Sequence, residues 1–259
     1  MEKKPKISII TISLNSGRTI ERTIVSVKEQ AYENLEYIII DGGSTDNTLE
    51  IIKQYSNIIT YWKSEPDKGI SDAFNKGVKM ASGEIIGIIN SDDGLMPGAL
   101  NMLAENYDSK VDIYVGKLES RDVENGIKYT TNPPEDYTYM TDSHISHPST
   151  FISKRAYEKY GLYDENCKTA MDYELLLRMK KRGAKVKRID APLAFFTMGG
   201  ITFSRYTRKK YDEHIYIIKK NGATRFDCLK YFVKRKAKNA VIACLGRERI
   251  SRIRSKIMK

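Results

Sequence analysis

Four short isoleucine-rich runs, separated by stretches of helical length, constrain this chain more than any other feature. Residues 6–12 (KISIITI), 35–41 (LEYIIID), 58–62 and 84–90 (EIIGIIN) have the length and composition of strands. Continuous apolar stretches such as 37–40 fit strands buried on both faces. Between them, residues 18–30, 47–55 and 70–81 carry helical spacing, and 97–107 adds a fourth helix. Alternating strands and helices imply right-handed βαβ units and a mostly parallel sheet covered on both sides. The first half is therefore expected to be α/β, a doubly wound, Rossmann-like arrangement.

The pattern then changes. Residues 112–115 read as a strand, 117–131 as an irregular or hairpin region, and 132–134 (NPP) as a turn. Helical spacing returns at 153–160 and strongly at 170–182, followed by a strand-like segment at 185–189. The expected organisation is one mixed domain over 1–224, with halves of about 1–110 and 111–224, followed by a helical tail over 225–259.

Charge supports that boundary. The chain of 259 residues has a net charge of +11, yet residues 225–259 hold twelve Lys/Arg against two Asp/Glu. Residues 1–224 are left with 32 basic and 31 acidic side chains, so the body is nearly balanced. This disfavours a generally basic, nucleic-acid-binding body. Apolar groups 231–233 and 240–245 interrupt the basic run 234–238, a mixture expected of an interfacial amphipathic segment. No run reaches the roughly 18–20 apolar residues of a membrane-spanning helix. The N-terminus lacks the apolar stretch of a signal peptide, and three widely spaced cysteines fit no metal motif. A cytoplasmic protein, peripheral on the inner face of the cell membrane, is expected.

In an open parallel sheet, ligands bind at the carboxyl ends of the strands. Polar clusters recur at those ends: Thr11, Ser13, Asn15 and Gly17; then 41–46 (DGGSTD), 64–69 (SEPDKG) and 90–93 (NSDD). Adjacent Asp92 and Asp93 repel unless a cation neutralises them, which suits Mg²⁺ or Mn²⁺ completing its shell with substrate phosphates. A P-loop and a Gly-x-Gly-x-x-Gly dinucleotide motif are both missing.

The order of these clusters, with 70–77 (ISDAFNKG), 161–165 (GLYDE), 170–174 (AMDYE) and 199–202 (GGIT), resembles the family 2 glycosyltransferases of GT-A fold over roughly residues 5–205. The resemblance implies a metal-dependent inverting transferase using Mn²⁺ or Mg²⁺. Its donor would be a nucleotide-sugar, UDP-linked, and its acceptor a glycan or lipid-linked glycan in surface polysaccharide assembly. Thr11, Ser13 and Asn15 match the nucleotide motif, and Asp41 the carboxylate that contacts the base. Lys68, Gly69 and Asp72 match the donor-binding loop and helix. Asp92 is implied to face the ribose and Asp93 to hold the metal; Asn90 stands where many relatives carry another Asp.

The same resemblance places the general base at Asp172, in the first turn of a helix whose positive end favours an ionised carboxylate. It places His147 in the donor diphosphate or acceptor pocket, and a mobile loop at 199–202. His144 has no further zinc ligand nearby, and Ala73, Gly77 and Ala81 form a close-packing stripe. Two rivals stand beside this reading. A nucleotidyltransferase would need a Gly-rich, basic first loop, and a non-catalytic membrane-binding protein has no use for Asp41, Asp92, Asp93 and Asp172 together.

Overall fold

A computed structural model describes residues 4–123, 125–133, 147–198 and 208–245. At its centre is one mixed sheet built from nine strands. β1 (Ile7–Ser13), β2 (Leu35–Asp41), β3 (Tyr61–Ser64) and β4 (Ile85–Asn90) are parallel, in the order β3-β2-β1-β4. β8 (Thr150–Ser153) runs antiparallel to β4 and to β6 (Ile113–Asp122). β6 also pairs with β7 (Ile127–Thr131) and with β9 (Val186–Thr197), which carries the short β5 (Gly94–Leu95) at its edge.

The pleat distributes the isoleucines between two cores. Ile10, Ile38, Ile40, Ile86 and Ile88 meet α3 (Ile70–Met80), α5 (Lys154–Tyr160), α6 (Met171–Lys181) and α7 (Arg208–Lys220) on one face. Their neighbours Ile7, Ile9, Ile39, Ile85 and Ile89 meet α1 (Ile20–Lys28), α2 (Thr48–Gln54) and α4 (Ala99–Glu105) on the other. A period of two in strands covered on both sides makes this division unavoidable. The small-residue stripe of α3 is packing: a Cβ on Gly77 would stand 2.5 Å from Ile10 Cγ2.

Two strands, β3 and β9, differ from the sequence expectation. β3 begins at Tyr61 because the Ile58 amide still bonds to the Tyr55 carbonyl behind α2, and only from Thr60 does the chain reach β2. β9 runs on past Ile189 to Thr197, tolerating Pro192 where the ladder with β6 is bulged. Residues 117–131, read as irregular or hairpin, are the β6–β7 hairpin.

The tail also joins the body. α8 (Arg225–Leu245) buries Tyr231 in the first core, stacked 5.7 Å from His214 of α7, so the segment after residue 224 is anchored to the domain. Residues 246–259 lie outside the described residues.

At the amino ends of the parallel strands, Glu36 is buried. Its carboxylate accepts from the Ser8 hydroxyl (2.6 Å), the Ser82 amide (2.7 Å) and Lys6 Nζ (2.9 Å). Burial pushes its carboxyl up, but the hydrogen bonds from Ser8, Ser82 and Lys6 outweigh this and bring it to about 2. A carboxylate depressed in the folded state stabilises fully above the unfolded value near 4.5 and loses that contribution as pH falls through about 2. Glu36→Gln should therefore destabilise the protein by about 1–3 kcal/mol at neutral pH. In urea titrations the gap to wild type should close toward pH 2; a gap independent of pH would contradict the assignment.

Candidate active site

The carboxyl ends of β1, β2 and β3 meet at Asp41, the last residue of β2 and fully buried. One carboxylate oxygen accepts from the Ser13 and Ser44 hydroxyls (2.8 and 2.5 Å). The other accepts from the Gly43 and Ser44 amides and the Ser64 hydroxyl (3.1, 2.8 and 2.7 Å). Burial alone would raise this carboxyl; hydrogen bonds from Ser44, Ser64 and Ser13 hold it below its usual range. Five donors fill the acceptor capacity of a carboxylate. Asp41 thus organises the strand ends, and the carboxylate that the resemblance assigned to the base contact is already engaged by five donors.

Two further nucleotide-motif residues flank it differently. Asn15 is exposed, in the left-handed region at φ 49°, and its side-chain oxygen accepts from the Thr45 amide at 2.8 Å. It holds the β1 and β2 loops together. Thr11 is a core residue instead: its hydroxyl meets the Tyr37 hydroxyl at 3.1 Å, fully buried below the edge.

The loop after β3 enters α3 through Gly69, whose φ of 115° requires glycine. Asp72 accepts from the Lys68 amide at 3.0 Å and pairs with Lys76 at 3.2 Å, and these contacts lower its carboxyl. The Lys68 side chain is exposed. Lys168, from the second half, sends its Nζ to the Lys68 carbonyl at 3.4 Å, so two cations flank this entrance.

At the end of β4, Asp92 and Asp93 point differently. Asp93 has no exposed surface; its carboxylate accepts from the Thr197 amide (3.1 Å) and Asn90 Nδ2 (3.3 Å). Burial and then the Asp92 charge push its carboxyl well up, and burial also raises Asp92, which stays partly exposed. Arg22 opposes both charges, although its guanidinium bonds to the Asp92 carbonyl and the Thr197 hydroxyl, each at 2.8 Å. Two hard carboxylates under this strain fit a divalent cation that takes its other ligands from phosphate and water. Among the described residues no third His, Cys, Asp or Glu joins them.

The second half reaches this edge through α3. Asn75 and Tyr163 exchange backbone–side-chain hydrogen bonds of 3.0 and 2.9 Å, and Ser71 bonds to the Cys167 carbonyl at 2.7 Å. These contacts dock the loop that leads into α6. Asp172, in the first turn of α6, lines a small cavity with His147, Tyr157 and Tyr163. The His147 ring stacks on Phe74 at 5.1 Å, with a buried Nε2 that has no hydrogen-bond partner. Burial pushes its imidazole down, with Asp172 opposing, so the ring is neutral at physiological pH. Glu174, also acidic and in the same turn, is fully buried and paired with Arg178 (2.9 Å) and Lys220 (3.1 Å).

The profile of Glycosyl transferase family 2 matches residues 8–229. The chain belongs to this family. An uncharacterized glycosyltransferase of Mycobacterium tuberculosis is 30% identical over 188 residues, 69% of this chain and 70% of that protein. Chondroitin synthase of Escherichia coli is 26% identical over 189 residues, which are 71% of this chain and 28% of that protein. Among solved structures, Staphylococcus aureus TarS 1-349 in complex with UDP-GlcNAc superposes with a TM-score of 0.67 at 19% identity, covering 87% of this chain and 69% of that one. A mannosyltransferase from Pyrobaculum calidifontis, in complex with GDP-Man and Mn²⁺, gives 0.65 at 14% identity, covering 99% and 86%. The protein is thus a glycosyltransferase whose mixed sheet has the GT-A fold.

For this glycosyltransferase, the structure gathers Ser13, Asn15, Asp41, Lys68, Gly69, Asp72, Asp92 and Asp93 at the ends of the parallel strands. His147 and Asp172 share a cavity beside α3. Residues 199–202 and His144 lie outside the described residues. Sequence reading missed Arg22 and Lys168, which are single basic residues within ordinary helical or loop composition. It also missed Glu213 of α7, which accepts from the Thr169 and Ala170 amides (2.8 and 2.7 Å) just before α6. The readable signal lay in the polar clusters that end β1 to β4 and in the acidic first turn of α6.

Asp41→Ala should lower stability by about 3 kcal/mol, because several donors lose a charged, buried acceptor. Donor affinity should fall with it. Urea unfolding checks this, and an unchanged midpoint with weakened nucleotide binding would restore the simple base-contact role.

Proposed function

We propose that this glycosyltransferase is metal-dependent and inverting. It would move a hexose or N-acetylhexosamine from a UDP-sugar to a hydroxyl of a growing surface glycan carried on a polyprenyl diphosphate. One observation carries the catalytic assignment. Asp172 is partly exposed, lines a cavity beside the nucleotide edge, and has no Lys or Arg partner among the described residues, while Glu174 is sealed between two cations. One Asp172 oxygen accepts from the Tyr173 amide at 2.8 Å, and a carboxylate so placed, with no cation paired to it among the described residues, is suited to act as general base.

In this reading Asp172 takes the proton of the acceptor hydroxyl as that oxygen attacks C1 of the donor sugar. The bond from C1 to the diphosphate oxygen breaks, and the nucleoside diphosphate leaves. Direct displacement inverts the anomeric centre. Lys68 and Lys168 attract the diphosphate, and the neutral His147 contributes a polar edge to the pocket that receives diphosphate or acceptor. A Mn²⁺ or Mg²⁺ held at Asp92 would offset charge growing on the leaving diphosphate. Asp93, buried beside it and bonded to the Thr197 amide, would be the second carboxylate facing the ion. TarS in complex with UDP-GlcNAc supports a UDP-linked donor, and the chondroitin synthase among the relatives supports a glycan acceptor.

Asp172→Asn should lower turnover by roughly 10²–10⁴-fold while nucleotide binding persists. Release of nucleoside diphosphate from a panel of UDP-, GDP- and dTDP-sugars, with a glycan acceptor, checks both base and donor. Turnover near wild type in the variant would remove Asp172 from the mechanism, and preference for a GDP- or dTDP-sugar would overturn the donor assignment.

A further inference from the structure

α8 has two faces of different fate. Tyr231, Cys228 and Phe232 turn toward α7 and the body, where Tyr231 is buried and Phe232 meets the Tyr211 ring edge-on at 5.7 Å. The opposite face is apolar and bare. Phe226, Leu229 and Val233, at spacings of three and four residues, are 61%, 56% and 58% exposed. Ala237 and Ala240 continue the strip in the same direction. Exposed Lys230 and Lys234 border it on one side and Lys236 on the other, with Lys230 Nζ 4.4 Å from the Phe226 ring centre. An open groove of about 600 Å³ between α7 and α8, lined by Tyr211, Ile215, Tyr216, Leu229 and Phe232, lies next to the strip.

We infer that this strip is the surface by which the protein lies on an anionic lipid bilayer. A helix with an outward apolar stripe between rows of lysine matches the acyl boundary and the charged headgroups at once. Six Lys/Arg against one Asp between 225 and 245 give the helix a net charge of +5, and the residues beyond it double that. A second copy of the chain is a poorer occupant, because antiparallel strips would set lysine rows against each other. Nucleic acid would use the lysines but has no counterpart for Phe226, Leu229 and Val233. Among the described residues no helix is long and apolar enough to cross a membrane, so the helix lies on the surface. This inference is independent of the transfer chemistry.

The test uses the full chain and sedimentation with vesicles of phosphatidylcholine and phosphatidylglycerol, against phosphatidylcholine alone. Wild type should bind the anionic vesicles at about 0.1 M salt, and at least about 10-fold more weakly at high salt or on neutral vesicles. Phe226→Ser with Leu229→Ser and Val233→Ser should lose about 10-fold in anionic-vesicle affinity with an unchanged Tm and intact donor binding. Lys230→Glu with Lys234→Glu and Lys236→Glu should lose as much. Undiminished binding by the serine variant, or equal binding of wild type to neutral vesicles, would overturn the proposal. So would a lowered Tm in the serine variant, which would mean that the chain itself covers the strip, or a wild-type dimer that this variant abolishes.

Discussion

The buried carboxylate of Asp41 is the interaction on which the rest of the site depends. It sits where three parallel strands end and where the backbone must turn into loops. Without it, the Gly43 and Ser44 amides and three serine hydroxyls would face one another with no acceptor. Leaving such donors unsatisfied costs more than the average hydrogen bond contributes. Asp41 therefore determines the positions of the loops that carry Asn15 and Ser44, and its neighbour Gly42 lies against Asp67 at the approach to Gly69.

A second constraint joins the halves. Asn75 and Tyr163 pair reciprocally across the boundary, and Ser71 ties the loop before α6 to α3. α7 then clamps α6 at two points, Glu213 on the amides before its first turn and Lys220 on Glu174. Asp172 lies between these clamps, so its placement is inherited from α7 rather than from its own contacts. Because α8 packs on α7 through Tyr231, the segment that bears the exposed lysine-edged strip is continuous with the element that positions Asp172.

The parallel half of the fold was legible because buried strands and amphipathic helices follow different periods, and the isoleucines alone mark β1, β2 and β4, while β3 contains none. The site was legible as a set of acidic strand ends, and the resemblance supplied roles for them. What stayed hidden depended on direction and partners. Composition cannot say that Asp93 turns inward to Thr197, 104 residues away, while Asp92 keeps surface. Nor can it say that Thr11 faces Tyr37, or that Asp41 gathers serines from the ends of β1 and β3 and from the loop after β2. Lys168 acts through a contact made only after both halves dock, and Glu213 through one made only once α7 packs against the start of α6. Pro192 concealed the length of β9 because a bulge, invisible in sequence, removes the penalty for it.

The central claim is that the ends of the parallel strands form a nucleoside diphosphate site in which Asp92 holds a divalent cation. Calorimetry of UDP binding to wild type and to Asp92→Asn, each with Mn²⁺ and with chelator, addresses it most directly. The account predicts that Mn²⁺ strengthens binding to wild type by at least about 10-fold and that the variant, still folded, loses this increment. An affinity for UDP that is the same with and without metal, or an increment that survives in Asp92→Asn, would contradict it.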